Sequence, residues 1–373
     1  MRRVLNIIFF TILLNVIFII NINAEEIKIN SKNAIMYNEL DNKIIYEKNK
    51  DEKIKIASLT KIATIIIALE NGDLNKEIII TNEDFNNTAD LALAGFKVGE
   101  KVTLEDLLYG AMLPSGAEAC NTLARSTSGS VENHVKKMNE LAKKLNCKNT
   151  HFVNVTGIDA NNHDSSVSDL SKILKYALEN NNFRKIFETK EHKVNENLIF
   201  KRTLNSVAKK NNLDVSFIKG AKTGHTDDAG VCLASTTTLN KVPYLLVTCD
   251  KYGSNDNPTH IKDASILYNY FSENYNYVDV IKKGDIIKKD SKIDIKFIGI
   301  KEINPKIKKG DFLGTVSIYI NNKKEKEIKL YLKDKIKYKF LTKRKIVTSL
   351  ILLILLLILL FIIRKIKIIS FQK

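Results

Sequence analysis

No tryptophan occurs in the 373 residues, and there are only 4 prolines and 4 cysteines. The cysteines exclude the most. Cys120, Cys147, Cys232 and Cys249 form no C-x-x-C pair and show no metal-ligand spacing, so no metal site is expected from them. They read as small buried thiols. Cys232 and Cys249 fall on two strands expected to be neighbours, and an exported chain permits disulfides. No cofactor is expected. The absent tryptophan and scarce proline accompany heavy use of Lys, Asn and Ile and carry little weight. Acidic residues are the minority charge, 42 against 59 basic, a net +17. Such a balance suits nucleic acid, a membrane surface or an anionic cell wall, and the chain ends decide among these.

Met1-Arg2-Arg3 is basic, Val4 to Ile20 is mostly apolar, and Ile22-Asn23-Ala24 puts a small residue before Glu25-Glu26. That order predicts a secretory signal peptide over residues 1–24. Ile346 to Ile363 is apolar except for Thr348 and Ser349, long enough for a bilayer span of roughly 17–25 residues. Basic residues flank both sides of this run, so charge asymmetry does not orient it. The leader does: residues 25 to about 342 are expected outside, anchored to the outer face of the cytoplasmic membrane by a helix over 346–363. Export removes nucleic acid as a partner.

Residues 26–48 alternate in strand fashion around a turn at Leu40-Asp41-Asn42, which predicts a β-hairpin. A largely helical stretch follows from about Leu104 to Phe187, opened by the capping signal Thr103-Leu104-Glu105-Asp106. Beyond Ile218 the period changes to two. Gly230 to Thr237 and Tyr244 to Cys249 read as strands around Leu239-Asn240-Lys241, with Pro243 just before the second, and a helix spans about Ile261 to Ser272. The whole is α+β, an antiparallel sheet with a large helical insertion. From near Tyr277 to 340 a small all-β domain is expected, with alternation at Ile293, Ile295 and Phe297, at Val316, Ile318 and Ile320, and at Ile328, Leu330 and Leu332. It carries no cluster of acid, base or nucleophile and reads as a spacer or contact domain.

Chemistry concentrates in three places. In "KIASLTKIATIIIALENG" Ser58 and Lys61 stand at i and i+3, on one face of a helix expected to begin at Ser58 and to enter an apolar core. A serine hydroxyl is a weak nucleophile until a base takes its proton, and burial or a second cation lowers a lysine's pKa so that it can serve. An N-cap serine followed by a surface lysine gives the same spacing. Further on, "LPSGAEAC" places Ser115 after an apolar helical stretch, and "KGAKTGHTDDAG" puts Lys222-Thr223-Gly224 at the start of a strand.

Serine-x-x-lysine, a serine motif and lysine-threonine-glycine, in that order, resemble the signature of penicillin-binding proteins and class A β-lactamases. With "VGEKVTLEDLLYGAMLPSGAEAC", "HFVNVTGID" and "SSVSDLSKIL", the chain resembles the low-molecular-mass penicillin-binding proteins, serine-type D-alanyl-D-alanine carboxypeptidases, over about residues 27–275. The resemblance implies a β-lactamase/transpeptidase-like fold and a D,D-peptidase domain over 25–276. It implies a pentapeptide substrate ending in D-Ala-D-Ala and β-lactams as covalent inhibitors. It gives Ser58 the nucleophile's role, Lys61 the base's, Ser115 proton transfer to the departing amine, Lys222 the tuning of local charge, and Thr223 the substrate carboxylate. It places the backbone N–H groups of Ser58 and His225 in an oxyanion hole, and Gly224 lets the ligand approach the strand closely.

Two positions depart from the family pattern. The middle motif usually ends in Asn, where this chain has Ala117, and Glu118 beside it faces another way on a helix. An arginine often grips the carboxylate near the last helix; Asn257 to Lys262 contains none, leaving His260 or Lys262 as substitutes. A β-lactamase also needs a carboxylate to activate water, and no E-x-x-L-N stretch lies between Ser115 and Lys222. A weakly active or non-catalytic wall protein remains the alternative that Ala117 suggests.

Overall fold

A strand covered on both faces reads as a continuous buried run, not as an alternation. The "GVCLASTT" run is buried throughout, apolar as far as Ala234 and hydroxyl-bearing from Ser235 to Thr237. The protein, described here by a computed structural model over residues 27–39, 42–274, 293–299, 310–320 and 322–331, uses it as an interior strand of its main sheet. The expected leader over 1–24 and the apolar run over 346–363 lie outside the described residues. Among the described residues no helix is long and apolar enough to cross a membrane.

The hairpin forms from β1 (Asn33–Asn38) and β2 (Lys43–Lys48), with Asn42 left-handed at φ 57° on the far side of the turn. The chain then enters the insertion. A 3-10 turn over Ala57–Thr60 leads into α1 (Lys61–Asn71), so the helix expected from Ser58 starts three residues later. The cause is Ala57, whose φ of 46° breaks the approach and leaves Ser58 in a tighter turn. Two short strands, β3 (Glu77–Ile79) and β4 (Lys101–Thr103), pair before α2 (Leu104–Met112). Thr103 caps α2 as expected, its hydroxyl accepting from Asp106 N–H at 3.1 Å and donating to the Asp106 carboxylate at 2.6 Å. Helices α3 (Ala117–Ser128), α4 (Val131–Lys144), α5 (Val167–Glu179) and α6 (Asn181–Glu188) follow. The hairpin of β5 (Glu191–Lys193) and β6 (Ile199–Lys201) and α7 (Thr203–Lys210) close the insertion. The two three-residue hairpins are too short to leave a periodic trace in sequence.

The chain returns as β7 (Gly220–Thr226), β8 (Gly230–Leu239) and β9 (Val242–Asp250), then α8 (Thr259–Asn274). The sheet order is β2-β1-β9-β8-β7, with every pair antiparallel. Pro243 lies inside β9, not ahead of it, opposite Thr238. Its carbonyl accepts from Glu39 N–H at 2.9 Å. In a strand the N–H of a residue points the same way as its carbonyl, so the missing donor falls where β1 has already ended.

Alternation separates the two faces. Met36, Leu233, Tyr244 and Leu246 pack against Ile261, Leu267, Tyr268 and Phe271 of α8. Ile35, Cys232, Ala234, Leu245 and Val247 turn to the helical insertion, where Ile62, Ile65 and Ile66 of α1 and Leu170, Ile173 and Leu174 of α5 belong to the same core. This makes α1 a buried centre-piece, and it makes β7 an edge strand with one free side. Cys232 and Cys249 face each other across β8 and β9, and both carry free buried thiols.

Residues 27–277 form one compact unit, and a second unit contains β10 (Ile293–Gly299), β11 (Phe312–Ile320) and β12 (Lys323–Tyr331). These pair antiparallel in the order β10-β11-β12.

Candidate active site

The first pair comes from the entrance to α1. Ser58 is half-buried and Lys61 is 2% exposed. The Lys61 amine lies 2.9 Å from Ser58 Oγ. Ser58 is not a cap, since Ile56 and Thr60 hold the N-cap positions, and Lys61 is buried, so the N-cap and surface-lysine reading fails. Burial is the main force lowering the Lys61 pKa; the Cys120 thiol and the Glu118 carboxylate act the other way. Lys61 also donates to the Thr156 carbonyl at 2.5 Å. The 2.9 Å contact works in either protonation state: an ammonium donates to Oγ, and a neutral amine accepts the hydroxyl proton.

The turn that presents Ser58 is clamped. A Cβ on Gly157 would stand 2.0 Å from the Ala57 carbonyl oxygen, and one on Gly224 would stand 3.0 Å from Ser58 N. Two segments therefore close on the Ala57–Ser58 peptide from different elements, and Gly157, at φ 88°, has the residue type that its conformation requires. Beneath the turn, Val153 N–H donates to His163 Nδ1 at 3.0 Å, so the proton of this imidazole sits on Nε2. Nε2 faces Thr60 Oγ1 at 2.8 Å, and Thr60 Oγ1 donates to the Ala57 carbonyl at 2.9 Å. This chain of donors holds a left-handed alanine that would otherwise cost on the order of 1–3 kcal/mol.

The second pair joins distant segments. Lys222 Nζ on β7 donates to Ser115 Oγ at 3.0 Å and to the Thr223 carbonyl at 2.8 Å. Ser115 is itself left-handed, at φ 68°. Lys222 is 2% exposed; burial first, and the charge of Lys61 second, hold its pKa well below the usual lysine value. The Cys120 thiol interacts with both lysines, and burial pushes it up to about 11. The two pairs thus share one buried environment. Thr223 is 9% exposed, Gly224 abuts the Ser58 backbone, and the His225 side chain points to solvent.

Ala117 is buried, and its N–H donates to the Ala92 carbonyl at 2.8 Å. Glu118 turns its carboxylate to Gly95 N–H at 2.8 Å. Of the two substitutes for a carboxylate-gripping arginine, His260 is buried and Lys262 is exposed. His260 is 1% exposed, and burial, reinforced by His225, pushes its pKa down to about 3. Lys262 donates to Asn257 Oδ1 at 3.0 Å. Among the described residues no cluster of His, Cys, Asp and Glu could hold a metal.

Several supporting groups have no counterpart in the sequence reading: the Thr156 carbonyl, His163, Thr60, and Asn154. Asn154 Oδ1 accepts from Thr156 N–H at 3.2 Å and Gly157 N–H at 2.7 Å. The Asn-x-x-Gly spacing in "HFVNVTGID" is a turn signal of the kind that could have found this loop.

A serine hydroxyl against a buried amine, with a second serine–lysine pair facing it at a sheet edge, is the equipment of serine hydrolases that use lysine in place of histidine. Residues 20–253 match the family described as D-alanyl-D-alanine carboxypeptidase, and the chain belongs to that family. It is 33% identical over 222 residues to the D-alanyl-D-alanine carboxypeptidase DacF of Bacillus subtilis (strain 168), covering 57% of this chain and 55% of that one. It is 32% identical over 240 residues to the D-alanyl-D-alanine carboxypeptidase of Streptomyces sp. (strain K15), covering 61% of this chain and 81% of the relative. The crystal structure of the Streptomyces K15 DD-transpeptidase superposes with a TM-score of 0.59 at 28% identity, covering 65% of this chain and 97% of that one. The mixed helix and sheet fold is therefore the transpeptidase-like one. The chain spans about half the length of the Bacillus relative.

Proposed function

We propose that the protein is a serine D-alanyl-D-alanine carboxypeptidase that removes the terminal D-alanine from peptidoglycan pentapeptide stems through an acyl-enzyme. The observation that carries this reading is the buried Lys61 amine 2.9 Å from Ser58 Oγ. In its neutral form Lys61 takes the hydroxyl proton while Oγ attacks the carbonyl between the two D-alanines. The N–H groups of Ser58 and His225 receive the oxyanion, stabilising charge that exists only in the transition state. Ser115, bonded to Lys222, passes a proton to the departing D-alanine amine. Thr223 binds the terminal carboxylate, and Gly224 lets the peptide lie along the free side of β7, as an added strand would. Water then releases the shortened stem. A β-lactam acylates the same serine.

The leader over 1–24 and the apolar run over 346–363 support a chain exported and anchored to the outer face of the cytoplasmic membrane. The three strands β10 to β12 then belong to a small β domain over about 277–340, a spacer or contact domain that precedes the apolar run in sequence. Ala117 favours a second reading, a weakly active or non-catalytic penicillin-binding wall protein. A β-lactamase lacks support without an E-x-x-L-N carboxylate.

Intact mass after benzylpenicillin tests the proposal. A single covalent adduct, absent in Ser58→Ala, is expected. An adduct on Ser115, or one that survives Ser58→Ala, overturns the assignment.

A further inference from the structure

Glu118 is completely buried, yet only one of its two oxygens is satisfied. Oε1 accepts from Gly95 N–H at 2.8 Å, while Oε2 has no hydrogen-bond partner among the described residues. A desolvated carboxylate oxygen without a donor is costly, and it persists where nearby positive charge offsets the cost. The groups around it meet that condition. Lys61 of α1 lies within electrostatic range of it, Cys120 stands two residues along α3, and Lys222 of β7 lies within electrostatic range of Lys61 and Cys120. The segment Ala92 to Phe96 adds no charge, and α2 packs there through Gly110, whose Cβ would meet Phe96 at 2.8 Å and Ala94 at 3.1 Å.

The other contacts of that segment converge on the Ser115 turn. Ala117 N–H donates to the Ala92 carbonyl at 2.8 Å, and Gly116 N–H donates to the Gly110 carbonyl at 2.9 Å. A Cβ on Gly116 would stand 2.6 Å from that of Ala94. Ser115, at φ 68°, is held by this packing and by the Glu118 bond to Gly95.

We propose that Glu118 is a positioning residue for acyl transfer: one oxygen locks the Ala92–Phe96 segment against the turn carrying Ser115, and the other supplies the negative charge that lets Lys61 hold the proton taken from Ser58. The inference rests on the acyl-transfer reading given above. The charge comes from Glu118 and not from Cys120, because a thiol pushed up to about 11 is neutral at working pH. When Ser58 Oγ attacks, its proton moves to the Lys61 amine and an ammonium forms in a buried site. A fixed carboxylate nearby stabilises that ammonium without touching substrate.

Two variants separate the two tasks. Glu118→Gln keeps an acceptor for Gly95 and removes the charge. Lys61 then loses its proton more readily, so the acid limb of benzylpenicillin acylation moves to lower pH by about one unit, the lower end of what a neighbouring charge produces. The plateau falls by up to about tenfold, because the amine is a weaker base. Glu118→Asp keeps the charge but is one methylene too short for Gly95: its acid limb stays in place while its plateau falls. The Lys61 titration, followed by NMR on the full chain with carbon-13 at the lysine Cε, should shift down in Glu118→Gln and remain in Glu118→Asp. A Glu118→Gln profile and Lys61 titration that both superpose on the unmodified protein overturn the proposal. If the unmodified protein forms no adduct at all, the carboxypeptidase reading fails, and the NMR titration still decides the role of Glu118. Should Glu118→Gln not fold, an acid limb that moves in Glu118→Asp overturns the proposal by itself.

Discussion

The turns at Ser58 and Ser115 present the same two groups, a hydroxyl and a lysine amine, and build them differently. At Ser58 the lysine is three residues away, and the bond lies within one segment. At Ser115 it comes from β7, 107 residues later, and the bond exists only once sheet and insertion have docked. Each turn contains a left-handed non-glycine residue, Ala57 in one and Ser115 in the other, and each is braced by a buried titratable group. The brace is neutral His163 acting through Thr60 for the first, and Glu118 acting through Gly95 for the second. The local pair suits a base that must meet its nucleophile in every state. The remote pair suits a proton carrier and a charge-tuning lysine that meet only where the sheet edge and the insertion dock.

That division of labour predicts unequal losses. Lys61→Ala should slow benzylpenicillin acylation by roughly 10²–10⁴-fold, the usual worth of base catalysis. Lys222→Ala removes a charge-assisted bond of about 1.5–3 kcal/mol, roughly ten- to a hundredfold in rate. Single-turnover acylation rates for the two variants test the order. A Lys222→Ala loss larger than the Lys61→Ala loss would reverse the roles. In the unmodified protein the rate should rise with pH as Lys61 loses its proton, at a pH below the ordinary lysine value because burial favours the neutral amine.

The same contrast explains what the sequence could tell. A pair at i and i+3 on an apolar helix is visible in a string of letters, and so is the alternation of β8 and β9. The Ser115–Lys222 pairing is visible only through resemblance, since no periodicity links residues 107 apart. The braces were invisible for a different reason. His163, Thr60 and Glu118 act by hydrogen bonds to backbone, and such bonds depend on where loops cross, not on residue spacing. Ala57 illustrates the limit: alanine is the best helix former, and here it adopts φ 46° because Gly157 and Gly224 close on its peptide. The strand limits around Pro243 were misjudged because a missing N–H is harmless at the end of a neighbour's ladder, which the sequence alone does not locate.

Ala117 belongs to the remote turn and gives a smaller effect. Each lysine amine has two hydrogen-bond partners in the structure, Ser58 Oγ and the Thr156 carbonyl for Lys61, Ser115 Oγ and the Thr223 carbonyl for Lys222. An Asn at 117 would add an acceptor for a lysine and a donor for substrate. Ala117→Asn should therefore raise kcat/KM on a D-Ala-D-Ala pentapeptide by about tenfold, the equivalent of one such bond at 1.4 kcal/mol. Ala117 is 0% exposed, so the larger side chain must push neighbours aside, and that caps the gain. A flat or lower kcat/KM with folding intact would mean that the pocket already satisfies both lysines without it.

The smallest effect is on stability, and it isolates the brace under Ser58. Burial, reinforced by Lys55, pushes the His163 pKa down to about 4, whereas an unfolded histidine titrates near 6.5. Between those values the unfolded state binds the extra proton, so the native state loses stability as pH falls from about 6.5 towards 4. From pH 7 to pH 5 the loss from this one group is about 2 kcal/mol, since each pKa unit is worth about 1.4. His134, pushed down to about 4 by burial, and His260, pushed down to about 3, contribute in the same direction, so the slope of a single protein does not identify His163. His163→Gln does. A glutamine amide can accept from Val153 N–H and donate to Thr60 Oγ1, and it does not titrate. The variant should keep the Ser58 turn and lose about 2 kcal/mol less than the unmodified protein between pH 7 and pH 5, by urea unfolding at each pH. Equal losses in the two proteins would mean that His163 is already charged at pH 5 in the folded state, and that the donor chain to the Ala57 carbonyl does not depend on a neutral imidazole.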